Sequence, residues 1–349
     1  MPVASKPAYL ASATEEPENF RSAVVEWFDQ VGENHPWRQT RDPYAVLVSE
    51  LMLQQTRIET VLSRRYFERW MEQFPDVQAL ADADVDAVLK VWEGLGYYRR
   101  ARNLKKAAET VVSEHEGKFP RDLAEILALP GVGRYTAGAV ASFAYGASAP
   151  IVDANVARVF SRIFDLQDEI DSTAGQRKLW DWADALVPLT VAREFNSGLM
   201  ELGQKVCTST SPDCISCPIS SWCRCSKPEG LPKKKPKRKI EEVAESVFLA
   251  LSPDGSVLLE RETGERRTGL LRLPHTDEQS IGWPVVSVTK YTITRYRVTL
   301  TCLAAPKDHV PPSRHTLIWC GPDELQEVAI ASPYRKVLHA LLEEPRLNL

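Results

Sequence analysis

Between residues 17 and 225 the apolar positions recur at intervals of three and four: Val24, Val25, Trp27 and Phe28, then Val46, Leu47 and Leu51, then Val61, Leu62, Tyr66 and Trp70. This is the period of an amphipathic helix, and strand-like alternation is nearly absent there. The segment is therefore predicted to be helices separated by short turns. Asp42 before Pro43 is a helix start, with an aspartate cap and proline at the first position. In EILALPGVGRYTAGAVASFAYG a helix ends at Leu129, Pro130 to Gly133 make a turn, and a second helix rich in small residues follows. Past residue 240 the period changes to two. ESVFLALSPDGSVLLERE has two β-rich runs around Pro253-Asp254-Gly255, and VVSVTKYTITRYRVTLTCLA is one long β-branched alternating stretch. Residues 240–349 read as an α+β or α/β domain with several antiparallel strands and a closing helix near 333–343.

KPEGLPKKKPKRK, at 227–239, separates the two textures and has the composition of an extended, charge-stiffened linker. The predicted plan is an N-terminal tail at 1–16, an all-α domain at 17–226, a basic linker at 227–240 and a second domain at 241–349. With 349 residues and 26% of them charged, a soluble globular chain of two domains is expected. No apolar run reaches the ~20 residues of a membrane span, and the first residues lack a signal-peptide core, so a cytosolic or other reducing compartment is expected. The net charge of -4 argues against a protein that coats nucleic acid over its whole surface, yet leaves room for one basic face.

Four of the seven cysteines, Cys207, Cys214, Cys217 and Cys223, fall within 17 residues, the clustering of a cofactor site rather than a disulfide framework. Four thiolates at this spacing suit one Zn²⁺ or one cubane iron–sulfur cluster, and spacing alone leaves both open. Cys225, Cys302 and Cys320 read as ordinary buried or surface thiols. Glu50, four residues after Val46 and three after Leu47, sits on the core-facing stripe of its helix. A buried carboxyl without a cation has a raised pKa and suits a general acid. Asp153 is an N-cap for the helix carrying Val156 and Phe160, and also a carboxylate that can stabilise an oxocarbenium ion opposite an acid. Glycine tolerates positive φ, so the Gly131–Gly133 turn can present amides to phosphate at the start of a helix.

The order of SELMLQQTRIETV, WEGLGYYRRARNLKKAA, LALPGVGRYTAGAV, PIVDANVARV, the cysteine loop and the lysine-rich linker resembles the adenine DNA glycosylases of the endonuclease III, or helix-hairpin-helix, superfamily. The resemblance runs along almost the whole chain. It implies an all-α helix-hairpin-helix glycosylase domain with an iron–sulfur loop at 207–223, followed by an α+β Nudix-like domain that recognises 8-oxoguanine. It implies a [4Fe–4S] cluster on Cys207, Cys214, Cys217 and Cys223. The implied partner of the expected monomer is double-stranded DNA with an adenine:8-oxoguanine mismatch, placing the protein with the bacterial nucleoid or in a nucleus. The implied reaction is hydrolysis of the adenine N-glycosidic bond in base excision repair.

Carried over by position, Glu50 is the general acid, Asp153 the stabilising carboxylate, and Tyr135 and Asn155 assist that centre. Gln55 and Tyr97 enter the duplex near the lesion, with Thr56 beside Gln55, and Gly131 and Gly133 meet the backbone. Trp37 and Arg38 are candidates for the adenine pocket. In the endonuclease III branch a Schiff-base lysine follows the Gly-Arg of the hairpin. Tyr135 stands there in this chain and cannot form that imine, so a monofunctional enzyme is expected. The family's Phe-Ser-His loop corresponds to Ile293-Thr294-Arg295, where only the hydroxyl of Thr294 is kept. LLERETGERRTG lacks the R-E-x-x-E-E array of the metal-binding Nudix hydrolases. Two rivals remain, an endonuclease III-like glycosylase for oxidised pyrimidines and a non-catalytic lesion-binding protein.

Overall fold

The computed structural model describes residues 17–236, 239–264, 267–306, 309 and 316–343. The tail at 1–16, Lys237 and Arg238 of the linker, and the middle of LLERETGERRTG lie outside the described residues. The helical part contains α1 Pro17–Val31, α2 Pro43–Leu53, α3 Ile58–Ser63, α4 Tyr66–Gln73, α5 Val77–Asp82, α6 Val85–Val91, α7 Arg99–Glu114, α8 Leu123–Ala128, α9 Arg134–Tyr145, α10 Ala154–Ile163, α11 Thr173–Leu186 and α12 Ala192–Lys205. The C-terminal part is an α+β region with β1 Glu241–Leu249, β2 Val257–Arg261, β3 Leu271–Arg272, β4 Val285–Ile293, β5 Tyr296–Ala304, β6 Leu317–Cys320, α13 Glu324–Glu327 and α14 Ser332–Glu343.

Packing divides the chain into two compact units that do not follow chain order: residues 1–55 with 107–236, and residues 56–106 with 237–349. In the first unit, Asp42 caps α2 by accepting from the amides of Tyr44 and Ala45 at 3.1 and 3.4 Å. Every residue from Tyr44 to Met52 is buried, so α2 is enclosed on all sides rather than along one stripe. α9 packs against α2 with its small residues, and α10 and α12 pack on one another over a core of Val156, Val159, Phe160, Leu199 and Leu202. Part of the basic segment is pinned here rather than free. The Ile170 amide donates to Lys233 at 2.9 Å, and the Lys235 amide donates to Asp171 at 3.1 Å.

In the second unit the strands form two three-stranded sheets, ordered β1-β5-β4 and β3-β2-β6. Two expectations change. VVSVTKYTITRYRVTLTCLA is two strands, β4 and β5, joined by a tight turn at Thr294 and Arg295. The runs flanking Pro253-Asp254-Gly255 do close a short antiparallel turn, with the Leu258 amide donating to the Ala250 carbonyl at 3.1 Å and the Ser252 amide to the Ser256 carbonyl at 2.9 Å, but β1 itself lies parallel to β5, not antiparallel as expected, with Val247 opposite Cys302. The C-terminal part is anchored to the helices of 56–106 by Arg335 on Glu93 at 2.7 Å, by Arg261 on Asp86 at 3.0 Å, and by Arg102 on the Thr268 carbonyl at 2.6 Å.

Candidate active site and cysteine loop

In the first unit, α2 and α9 bring Glu50 and Tyr135 together. The Tyr135 hydroxyl donates to Glu50 Oε2 at 2.7 Å, and Glu50 is only 5% exposed. Burial is the main reason its carboxyl is pushed up to about 7, helped by the charge of Asp153. The Tyr135 hydrogen bond and the Arg38 guanidinium oppose the rise. Burial, then the charges of Glu50 and Asp153, holds the Tyr135 phenol well above its ordinary value, so it stays a neutral donor.

Asp153 is the N-cap of α10, as the sequence predicts. Its Oδ1 accepts from the Val156 amide at 2.7 Å and its Oδ2 from Asn155 Nδ2 at 2.8 Å. Burial raises its pKa as well, but these bonds and the Asn155 amide pull the other way. Three donors converge on Asp153 against one on Glu50, so the surroundings favour Glu50 as the proton-bearing partner and Asp153 as the anion. The pair suits protonation of a leaving group with an anion nearby.

Asn155 is itself oriented from behind. Arg158 Nη2 donates to Asn155 Oδ1 at 2.9 Å while its Nε donates to the Cys207 carbonyl at 2.7 Å. Gly203 of α12 lies flat against Asn155, and a Cβ there would sit 2.6 Å from the Asn155 Cβ. Trp37 is buried beside His35, and Arg38 reaches the fully buried Glu201 at 2.8 Å. Lys205 pairs with Glu201 at 2.8 Å and with Glu33 at 2.9 Å. Lys205 therefore closes an ion-pair cluster with Glu33, Arg38 and Glu201. Arg158 was legible as a helix neighbour of Asn155 at i+3, and Lys205 as a neighbour of Glu201 at i+4, but nothing local marked the pairing of Glu201 with the distant Arg38.

The remaining candidates sit at turns and helix ends of the two units. Gly131 has φ +77, which glycine adopts freely, and Gly133 caps the N-terminus of α9, whose first amides have no partner within the helix. Gln55 is exposed with φ 57, and Tyr97 is 47% exposed with φ 46. Left-handed backbone at non-glycine residues is strained and concentrates at functional sites. Thr56, by contrast, is occupied, accepting from both terminal nitrogens of Arg100 at 3.2 Å. Thr294 is an exposed turn residue with φ 52 at the tip of the β4–β5 hairpin rather than within a strand.

Cys207, Cys214, Cys217 and Cys223 line a cavity of about 180 Å³ at the ends of α10 and α12. Among the described residues no three His, Cys, Asp or Glu side chains are grouped as around a single metal ion. The donor set still fits a polynuclear thiolate-bound group, and Arg162 supports that fit. Its guanidinium, 2% exposed, donates to Cys207 Sγ at 3.2 Å and to the carbonyls of Thr208, Pro228 and Leu231. A buried cation whose described partners include no carboxylate calls for an anion, and a thiolate supplies one. Burial, then the neighbouring thiols, pushes Cys217 up to about 11. Cys302 and Cys320 are buried, and Cys225 is a half-buried free thiol that lines the same cavity.

Residues 48–185 match the family model of the HhH-GPD superfamily base excision DNA repair proteins. The chain is 45% identical over 215 residues to a human adenine DNA glycosylase, covering 59% of this chain and 39% of that one. It is 41% identical over 222 residues to an adenine DNA glycosylase of Mycolicibacterium smegmatis, covering 63% and 74%. It is 33% identical to one from Buchnera aphidicola subsp. Baizongia pistaciae, covering 69% of each. The chain spans less than half the length of the mammalian relatives it matches. A thermostable thymine-DNA glycosylase structure aligns with a TM-score of 0.55 at 30% identity, covering 61% of this chain and 97% of that one.

Proposed function

The chain belongs to the adenine DNA glycosylases of the HhH-GPD superfamily, and from that membership we propose that it hydrolyses the N-glycosidic bond of adenine mispaired with 8-oxoguanine or guanine in duplex DNA. The observation that carries this reading is the buried Glu50 carboxyl, raised to about 7 and hydrogen-bonded to Tyr135. Adenine is a poor anionic leaving group, so its departure needs a proton, and a carboxyl of this kind keeps one near neutral pH. As the base leaves, positive charge grows on the sugar, and Asp153, whose three donors oppose the rise in pKa that burial causes, stabilises it as the anion. Tyr135 and Asn155 keep the two carboxyls oriented. With a phenol where the endonuclease III branch has its lysine, no Schiff base forms, and the enzyme is monofunctional.

The target base must leave the duplex, a step costing a few kcal/mol. Gln55 and Tyr97 enter the space it vacates, and the Gly131–Gly133 turn and α9 amides hold the backbone. Trp37 and Arg38 border the adenine pocket. Thr56 acts through Arg100 beside the Tyr97 ring, whose centroid lies 5.6 Å from the guanidinium carbon. We read 17–226 as the glycosylase domain, 227–240 as the linker and 241–349 as a Nudix-like module that recognises 8-oxoguanine through Thr294. Cys207, Cys214, Cys217 and Cys223 would hold a [4Fe–4S] cluster, which when bound supplies a covalent brace for a loop with little core of its own. The site is tested with duplexes carrying adenine opposite 8-oxoguanine, guanine or thymine, and thymine glycol opposite adenine, followed by alkali. Strand breaks confined to the first two are expected. Breaks only at thymine glycol would overturn the assignment.

A further inference from the structure

The cavity at the cysteine loop is lined by five cysteines, not four: Cys225 stands with Cys207, Cys214, Cys217 and Cys223. Cys223 leaves its short 3-10 turn in an extended conformation, with φ -76 and ψ 123. Cys223 and Cys225 both line the cavity, and Arg224 between them is not among its lining residues. Both are pinned to the end of α10. The Arg224 amide donates to the Ile163 carbonyl at 3.1 Å, the Cys225 amide donates to the Arg162 carbonyl at 3.1 Å, and Cys223 Sγ lies 3.5 Å from that same oxygen. Arg162 in turn donates to Cys207 Sγ. The Cys223 thiol and the Cys225 amide therefore meet the same carbonyl, which holds the two residues side by side on the wall of one cavity.

We propose that Cys225 is a reserve ligand, able to replace Cys223 on the iron of the cluster. The exchange is a ligand substitution without electron transfer. The Cys225 thiol releases its proton and binds iron, while Cys223 leaves as thiolate and takes up a proton. The proposal rests on the cluster reading, and its test separates the two.

The full chain and its Cys223→Ser, Cys225→Ser, Cys217→Ser and Cys223→Ser/Cys225→Ser variants are purified alike and assayed for iron, acid-labile sulfide and the visible sulfur-to-iron absorption. Wild type without iron would sink the cluster reading itself. Given a loaded wild type, Cys225→Ser keeps its iron, Cys223→Ser keeps most of it, and both Cys217→Ser and the double variant lose it. Cys223→Ser as depleted as the double variant would overturn the reserve ligand. Iodoacetamide mapping by mass spectrometry gives a second readout. Cys225 is alkylated in the loaded wild type and protected in Cys223→Ser; open to alkylation in both, it would be no ligand.

Discussion

A carboxyl enclosed as Glu50 is should weaken the fold it serves. Its pKa is raised from an ordinary 4.5 to about 7, so the folded state holds the proton more tightly than the unfolded chain. Stability from this group is thus fully present below 4.5 and is lost as pH rises through 7. At about 1.4 kcal/mol for each pH unit of the rise, the ionised carboxylate costs the fold about 3 kcal/mol above neutrality. Glu50→Gln keeps the shape and the acceptor for Tyr135 but removes the ionisation. We expect the variant to be inactive and yet more stable than wild type by about 3 kcal/mol at pH 8, converging with it near pH 4.5. In a domain of this size that corresponds to roughly 2–4 °C in Tm for each kcal/mol. Thermal and urea unfolding of both proteins across pH 4.5 to 8.5 reads the difference. A gap that does not widen with pH would show that the carboxyl is not held protonated by burial.

Tyr135→Phe removes the hydrogen bond that holds Glu50 down, worth about 1.5–3 kcal/mol to a charged acceptor, so the alkaline limb of the excision profile should move up by about one to two pH units. An unmoved limb would detach Tyr135 from the acid. Gly203→Ala drives a methyl into Asn155, and we expect single-turnover excision to fall on the order of 100-fold while helicity and DNA affinity hold. Affinity lost in parallel would make the contact merely structural. Thr294→Ala should narrow the preference for 8-oxoguanine over guanine opposite adenine by roughly 2–10-fold, the worth of one hydrogen bond. An unchanged ratio of rates rejects its role. Borohydride should trap no covalent complex between the wild-type protein and substrate DNA, because no lysine follows Arg134 in the hairpin.

The local features were readable in advance. Asp42 and Asp153 cap because aspartate accepts from amides just inside a helix, and Pro43 and Gly131 fit the backbone their positions need. Glu50 could be placed on a buried face from the apolar residues around it. Pairings across long stretches of chain could not be read. The parallel match of β1 with β5 is set by tertiary packing, which period-two alternation does not encode, and the same alternation hid the turn at Thr294. The buried charges tell the same story. Glu201 and Arg162 read as surface residues until their partners Arg38 and Cys207 arrive from elsewhere in the chain. Cysteine spacing singled out a C-x2-C core but gave no reason to count Cys225, whose contribution depends on where the Arg162 carbonyl holds the chain.

The central claim is that a buried Glu50 gives its proton to the departing adenine. The direct measurement is the single-turnover rate of adenine release from an adenine:8-oxoguanine duplex as a function of pH, with the enzyme saturating. The account predicts a plateau on the acid side and a fall governed by one group titrating near 7, absent in Glu50→Gln because that variant does not turn over. A rate that stays level or climbs between pH 6 and 8.5, or excision that persists in Glu50→Gln, would contradict it.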